Sequence, residues 1–161
     1  VVAPLISSEG CSGAMAIELR EGVEATPQVR AVATILAAQL AFPKKRVLII
    51  YGDGSFGLNG FEYDTAVRHN LPIVGIIGND AAWGQMLRPQ IASFGESRVV
   101  ATELRPTRYD KVVEALGGYG ELVEKPGDIR PALERAYASG KPACINVMIR
   151  QDREFSGGIY V

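Results

Sequence analysis

The chain has 161 residues, of which 47% are hydrophobic, and its formal net charge is −1. This length and apolar content predict about one globular domain and exclude a disordered chain. Because no block of basic residues occurs, we expect neither a nucleic-acid partner nor an anionic membrane surface. No apolar run reaches membrane-spanning length, and the two cysteines, Cys11 and Cys144, lie far apart in the sequence. We therefore expect a cytoplasmic protein with reduced thiols.

The first half of the chain predicts alternating helices and strands. Apolar residues at helical spacing predict a helix over 28–41, and the apolar run 46–51 predicts a strand covered on both faces. A glycine-rich turn over 52–57 and a helix from about 59 to 69 are expected next. A second buried strand is predicted over 71–77.

The second half continues this alternation. Its predicted elements are a short helix over 83–91 broken by Pro89, a helix over 108–116, a strand over 120–123, a helix over 127–138 and a last buried strand over 143–149. Short apolar strands that alternate with helices indicate an α/β fold. We expect a doubly wound, mostly parallel sheet with helices on both faces.

The two ends of the chain fit this pattern poorly. Residues 1–27 are rich in turn-forming residues and contain one possible helix near 14–20. The predicted domain covers 28–150. The tail, 151–161, is flexible in composition, and its simplest interpretation is a frayed terminus.

Polar loops follow two consecutive predicted strands. In Gly52-Asp53-Gly54-Ser55, the second glycine lets the backbone approach a phosphate, and free N–H groups of the next helix can bind its oxygens. The aspartate offers a carboxylate to a cation. The second loop, Gly78-Asn79-Asp80-Ala81-Ala82-Trp83-Gly84, adds two oxygen-bearing side chains. Because a diphosphate would repel the two carboxylates, Mg²⁺ between them is expected, and the loops predict a metal–diphosphate clamp.

A Gly-Asp-Gly or an Asn-Asp alone is usually only a turn or a cap. Together, separated by a helix and a strand, they resemble the motif that binds thiamine diphosphate (ThDP), in which a later Asn-Asn pair follows Gly-Asp-Gly. This resemblance implies Asp53, Asp80 and the carbonyl of Ala82 as metal ligands. Asp80 stands where asparagine is usual, which leaves a choice between Asn79 and Asp80.

The same resemblance implies ThDP and Mg²⁺ as cofactors, and an active site that this chain does not complete. The residues expected to contact the cofactor are Gly52, Asp53, Gly54, Ser55, Asn79, Asp80, Trp83 and Gly84. No catalytic residue is expected in this chain, because the family's activating glutamate lies in a pyrimidine-binding domain of the same or a neighbouring subunit. We expect the chain alone to be inactive and the whole protein to be a homo-oligomer. The single histidine, His69, is predicted to be structural, at a helix C-terminus.

The wider stretch 37–85 is similar to the branch that contains acetolactate synthase, oxalyl-CoA decarboxylase and 2-hydroxyacyl-CoA lyase. This similarity implies a carbon–carbon lyase or carboligase acting on 2-hydroxyacyl-CoA or oxalyl-CoA-like substrates. The resemblance to 2-hydroxyacyl-CoA lyase also implies a second interpretation of the tail, 151–161, as a lid that closes over the site. An acetolactate synthase-type carboligation of 2-keto acids is the alternative within the class. A non-catalytic fragment or binding module, or an unrelated flavodoxin-like phosphate binder, are the alternatives from other classes.

Overall fold

The computed structural model describes residues 2–7, 10–16 and 27–153, with side chains from residue 34 onward. Its strands are β1 (Val2–Ser7), β2 (Gly10–Ala16), β3 (Leu48–Gly52), β4 (Val74–Asn79), β5 (Tyr119–Val123) and β6 (Ala143–Met148). Its helices are α1 (Pro27–Ala41), α2 (Asp53–Asn59), α3 (Glu62–Arg68), α4 (Gly84–Phe94), α5 (Tyr109–Ala115) and α6 (Ile129–Ala138), with 3-10 turns at Glu96–Arg98 and Pro126–Asp128.

A parallel sheet with the strand order β3-β4-β6-β5 confirms the predicted α/β architecture. From β4 the chain passes through α4 and α5 to the edge strand β5, and α6 then leads back to β6 between them. Residues of α6 pack with one face of the sheet, and residues of α2, α3 and α5 pack with the other. The sheet is therefore doubly wound.

The central strand β6 divides its side chains between the two cores. Ala143, Ile145 and Val147 pack with α6 on one face. Cys144 packs on the opposite face, where Asn146 also donates a hydrogen bond to Asp110 of α5. This alternation follows from the two-residue period of a strand. It places a polar side chain of β6 under the carboxyl end of β4.

The expectation that the first strand is covered on both faces is wrong for the described residues. The predicted strand corresponds to β3, which lies at the edge of the parallel sheet, and its Ile50 is 71% exposed. Leu48 is also exposed, and so are Leu58 and Phe61 in the helical region that follows. An apolar run signals that a strand becomes covered, but it does not say by which part of a protein.

The glycine-rich turn predicted over 52–57 is helical instead, because α2 begins at Asp53. Two glycines lower the intrinsic helix propensity of this segment, which is why the sequence indicated a turn. The buried ring of Phe56 and the acidic residue in the first turn favour the helix. The predicted single helix from 59 to 69 is in fact α3 alone, since Gly60 and Phe61 separate it from α2.

Two further expectations are corrected by the structure. Residues Ala14–Ala16 belong to β2, which pairs antiparallel with β1, so a helix is wrong there, and 17–20 lie outside the described residues. Helix α4 continues through Pro89 rather than breaking at it, with Leu87 fully buried as an anchor. Among the helices of the described ranges, none is long and apolar enough to cross a membrane.

Candidate functional site

The two polar loops meet at the carboxyl ends of adjacent strands. Gly52, the last residue of β3, is in register with Gly78 of β4. Asp53 therefore begins α2 beside the point where Asp80 leaves β4. In open α/β sheets this edge is where ligands bind. The structure thus brings together the two carboxylates that the sequence placed in separate loops.

The Asp53 carboxylate is almost fully buried, with 1% of the residue exposed. Its Oδ1 accepts a hydrogen bond of 2.8 Å from the Gly54 N–H, but its Oδ2 has no hydrogen-bond partner among the described residues. Burial raises the pKa of Asp53, and the nearby charge of Asp80 raises it further, while the N–H groups of Gly54, Ala82 and Ala81 lower it. The Ala81 N–H donates to Asn79 rather than to Asp53, and no N–H group of the described residues meets hydrogen-bond geometry with Oδ2, so this buried oxygen is suited to a cation.

The Ala82 backbone faces this carboxylate. Ala82 forms an isolated antiparallel bridge with Glu103, and the hydrogen bonds of that bridge flank Ala82. Trp83 N–H donates to the Thr102 carbonyl at 2.8 Å, and Leu104 N–H donates to the Ala81 carbonyl at 2.7 Å. Ala82 and Glu103 therefore form a non-hydrogen-bonded pair, in which the N–H and C=O of Ala82 point away from the segment that contains Glu103. The Ala82 N–H accordingly lies near Asp53, and its C=O is directed to the same side.

Asn79 has a structural role that favours Asp80 as the metal ligand. The Asn79 side chain is fully buried and donates to the Thr107 carbonyl at 2.9 Å and to Asn146 Oδ1 at 3.1 Å. Its own Oδ1 accepts the Ala81 N–H at 3.2 Å. Every polar atom of this amide is thus engaged within the protein. Asp80, by contrast, is only partly buried.

A buried polar network below Asn79 was not predicted. Asn146 Nδ2 donates to the Thr107 carbonyl and to Asp110 Oδ1, each at 3.2 Å. Asp110 is 1% exposed and accepts bonds from Arg108, including one of 2.6 Å from Nη2. Hydrogen bonds thus connect the half-exposed Arg108, through Asp110 and Asn146, to Asn79 in the second loop. The only sequence signal was a polar residue inside the apolar run 143–149, which marks a side chain that needs partners in the core.

The glycines of the site make room for side chains of the second loop and of α4. A Cβ at Gly54 would lie 3.1 Å from Cδ2 of the Trp83 ring, so the indole packs directly over the first turn of α2. A Cβ at Gly84 would lie 3.1 Å from Arg88 Nη1 and 3.6 Å from Asp80 Oδ2. Ser55 is exposed on α2. That these residues contact a cofactor stays a prediction.

His69 lies away from this edge. It follows α3 as its C-terminal cap residue, where its N–H donates to the Thr65 carbonyl. The predicted place at a helix C-terminus is thus confirmed. Since α3 leads back to the start of β4, His69 is at the amino end of the sheet. Within 34–153, no group of three or more His, Cys, Asp or Glu side chains could hold a metal. That Asp53, Asp80 and the Ala82 carbonyl bind a metal therefore stays a prediction, and it requires further ligands from outside the described residues.

The sequence of residues 28–147 matches the family described as thiamine pyrophosphate enzyme, C-terminal TPP binding domain. Over 114 residues the chain is 56% identical to "Acetolactate synthase large subunit IlvG" of Mycobacterium tuberculosis, an alignment that covers 70% of this chain and 20% of that protein. Over 132 residues it is 43% identical to "2-hydroxyacyl-CoA lyase 2" of Caenorhabditis elegans, covering 78% of this chain and 20% of that protein.

The fold is also similar to that of a solved enzyme, the ThDP-dependent 4-hydroxybenzoylformate decarboxylase of Rhodococcus jostii RHA1. The TM-score is 0.67 at 26% sequence identity, over 74% of this chain and 23% of that one. The chain spans about a fifth of the length of the curated relatives named above.

The buried network predicts an acid-dependent loss of stability. Burial raises the pKa of Asp110, but hydrogen bonds from Arg108 and Asn146 outweigh it, so the pKa lies below its ordinary value. The ionised carboxylate therefore stabilises the fold above the unfolded-state pKa of about 3.9, and this contribution is lost as the pH falls through the lower folded value. We expect Asp110→Asn to lower the melting temperature at pH 7. Between about pH 4 and pH 2 the melting temperature of the variant should decrease less than that of wild type.

Thermal unfolding followed across that pH range measures the effect. Asp64→Asn is the control, because Asp64 also pairs with an arginine, Arg68, but on the surface, where such pairs contribute little. Parallel curves for wild type and Asp110→Asn would contradict the assigned role.

Proposed function

Because this chain belongs to the family of thiamine pyrophosphate enzyme C-terminal TPP binding domains, we propose that it anchors the diphosphate of ThDP through Mg²⁺ within a larger carbon–carbon lyase or carboligase. The observation that carries the proposal is the buried Oδ2 of Asp53, which has no hydrogen-bond partner among the described residues and lies close to a second carboxylate. Neither a turn nor a helix cap needs that arrangement.

Different groups of this chain would bind the metal ion and the diphosphate of the cofactor. Asp53, Asp80 and the Ala82 carbonyl would bind Mg²⁺, whose remaining positions suit diphosphate oxygens and water. The N-terminal end of α2 would face the diphosphate, and Trp83 packs beside it against Gly54. Metal and diphosphate are then bound as one unit, because the cation neutralises carboxylates that would otherwise repel the phosphate.

The active site is completed from outside this chain. When bound, ThDP supplies a thiazolium ring that serves as the electron sink for breaking or forming a carbon–carbon bond. The glutamate that activates the ring would come from a pyrimidine-binding domain of the same or a neighbouring subunit in a homo-oligomer. The exposed apolar side chains of β3 and the relatives' length, of which the match covers 20%, support further protein around this domain.

Two substrate classes are supported to different degrees. The 56% identity to an acetolactate synthase favours carboligation of 2-keto acids. The 43% identity to a 2-hydroxyacyl-CoA lyase supports cleavage of a 2-hydroxyacyl-CoA, the reaction that the sequence alone placed first. We propose the 2-keto acid reaction as the first candidate and the acyl-CoA reaction as the second.

A substitution at Asp53 is expected to weaken metal binding and to stabilise the metal-free fold, so the two effects can be measured separately. In the full-length protein that carries this domain, Asp53→Asn removes a buried charge whose partner would be the metal. We expect it to weaken Mg²⁺ binding in the presence of ThDP by more than the roughly 10- to 100-fold that loss of an outer partner costs. Without metal, the same change should raise the melting temperature at pH 7, because an unpaired buried charge destabilises a fold. Titration calorimetry and thermal unfolding measure the two effects.

Asp110→Asn is the matched control, since Asp110 is equally buried but fully paired, and its replacement should lower the melting temperature instead. Unchanged Mg²⁺ and ThDP affinity in Asp53→Asn would refute the metal role. A lower melting temperature in metal-free Asp53→Asn would refute the unpaired-charge explanation.

Substrate class is tested with the full-length protein loaded with ThDP and Mg²⁺. We expect it to consume pyruvate and release CO₂ with formation of a carboligation product. Cleavage of a 2-hydroxyacyl-CoA to an aldehyde and a formyl-CoA, with no turnover of pyruvate, would select the second candidate. Turnover of neither class by a protein that binds ThDP would contradict both reactions and favour a binding module.

A further inference from the structure

The segment that follows β6 runs directly beside the loop carrying Asp80. The Ile149 N–H donates to the Asn79 carbonyl at 3.0 Å and so extends the pairing of β6 with β4. Two residues later, Gln151 Nε2 donates to the Asp80 carbonyl at 3.2 Å and lies 3.5 Å from the Ala81 carbonyl. The side chain of Gln151 thus reaches the backbone of the candidate metal loop.

This contact fixes the peptide group that links Asp80 to Ala81. The carbonyl of that peptide accepts from Gln151, and its N–H donates to Asn79 Oδ1. Ala81 has a positive φ of 56°, which a residue with a side chain rarely adopts and which surrounding contacts must hold. The next peptides are fixed through Leu104 and Thr102. Gln151 therefore completes the hydrogen bonds that shape the loop between its two candidate metal ligands, Asp80 and Ala82.

Arg153 determines which way the Gln151 amide faces. Arg153 Nη1 donates to Gln151 Oε1 at 2.8 Å and to Glu103 Oε1 at 2.9 Å. Since a guanidinium only donates, it requires the oxygen of the amide, and the Nε2 group must then face the carbonyls. Glu103 is the residue paired with Ala82 in the antiparallel bridge. The guanidinium thereby links both segments that border the loop.

We propose that Gln151 is a positioning residue of the metal–diphosphate site, oriented by Arg153. The proposal rests on the proposed function, because it assigns Gln151 the task of holding the Asp80 and Ala82 oxygens at the spacing that Mg²⁺ requires. Mg²⁺ demands a near-ideal octahedron, whereas Ca²⁺ accepts a larger and more flexible set of oxygens. Loosening the loop should therefore weaken Mg²⁺ more than Ca²⁺.

The test is Gln151→Met in the full-length protein, which keeps an unbranched side chain of similar size but removes the amide donor. In the presence of saturating ThDP, calorimetry should show Mg²⁺ binding about tenfold weaker than in wild type, as for the loss of an outer-shell partner. Ca²⁺ affinity should change less, so that the preference for Mg²⁺ falls. Arg150→Gln, an exposed position on the same segment, is the control and should match wild type.

A second measurement reads the loop without metal. Hydrogen exchange followed by mass spectrometry should show faster exchange of the peptide containing 79–83 in Gln151→Met than in wild type. Equal Mg²⁺ affinity and equal exchange in the two proteins would overturn the role of Gln151 while leaving the proposed function intact. Equal weakening of Mg²⁺ and Ca²⁺ would also overturn it, because it indicates general destabilisation. Failure of wild type to bind Mg²⁺ with ThDP would overturn the proposed function and this inference together.

Discussion

The register between β3 and β4 brings two carboxylates together, and the rest of the site is organised around that charge. Gly52 lies opposite Gly78, so Asp53, one residue after β3, and Asp80, one residue after β4, leave the sheet at the same edge. Burial of Asp53 and the charge of Asp80 both raise the pKa of Asp53. Such an arrangement disfavours the ionised form of Asp53 unless a proton or a cation neutralises its charge. In the proposed function, a divalent ion bound with an anionic diphosphate would neutralise the carboxylates and the phosphate at once.

The loop around Asp80 is held by contacts from three directions. Asn79 donates a hydrogen bond to Asn146, which in turn donates one to the buried and ion-paired Asp110. The extended segment around Thr102 pairs with the loop from one side, and Gln151 bonds it from another. A metal site needs ligands that are already in place, because ordering a loose loop on binding weakens affinity. The fold supplies that order through residues distant in sequence.

The sequence predicted the parallel sheet and the two loops well, because the strands β4 and β6 are mostly apolar runs and the loops follow strands directly. It failed where local and tertiary preferences disagree. Gly54 and Gly57 indicated a turn, yet burial of Phe56 favours a helix there. The roles of Asn146 and Gln151 were not predictable, since a single polar residue does not reveal its distant partners. The exposure of β3 was missed because an apolar run does not specify which part of a protein covers it.

The central claim is that Asp53, Asp80 and the Ala82 carbonyl hold the cofactor's metal ion, and anomalous scattering from Mn²⁺ tests it most directly. Crystals of the full-length protein grown with ThDP and Mn²⁺ would locate the ion independently of any assumed geometry. We expect one peak in this domain within about 2.2 Å of oxygens from these three residues, with diphosphate oxygens among the other ligands. A peak bound by Asn79 instead, or a bound diphosphate whose metal does not touch Asp53, would contradict the account.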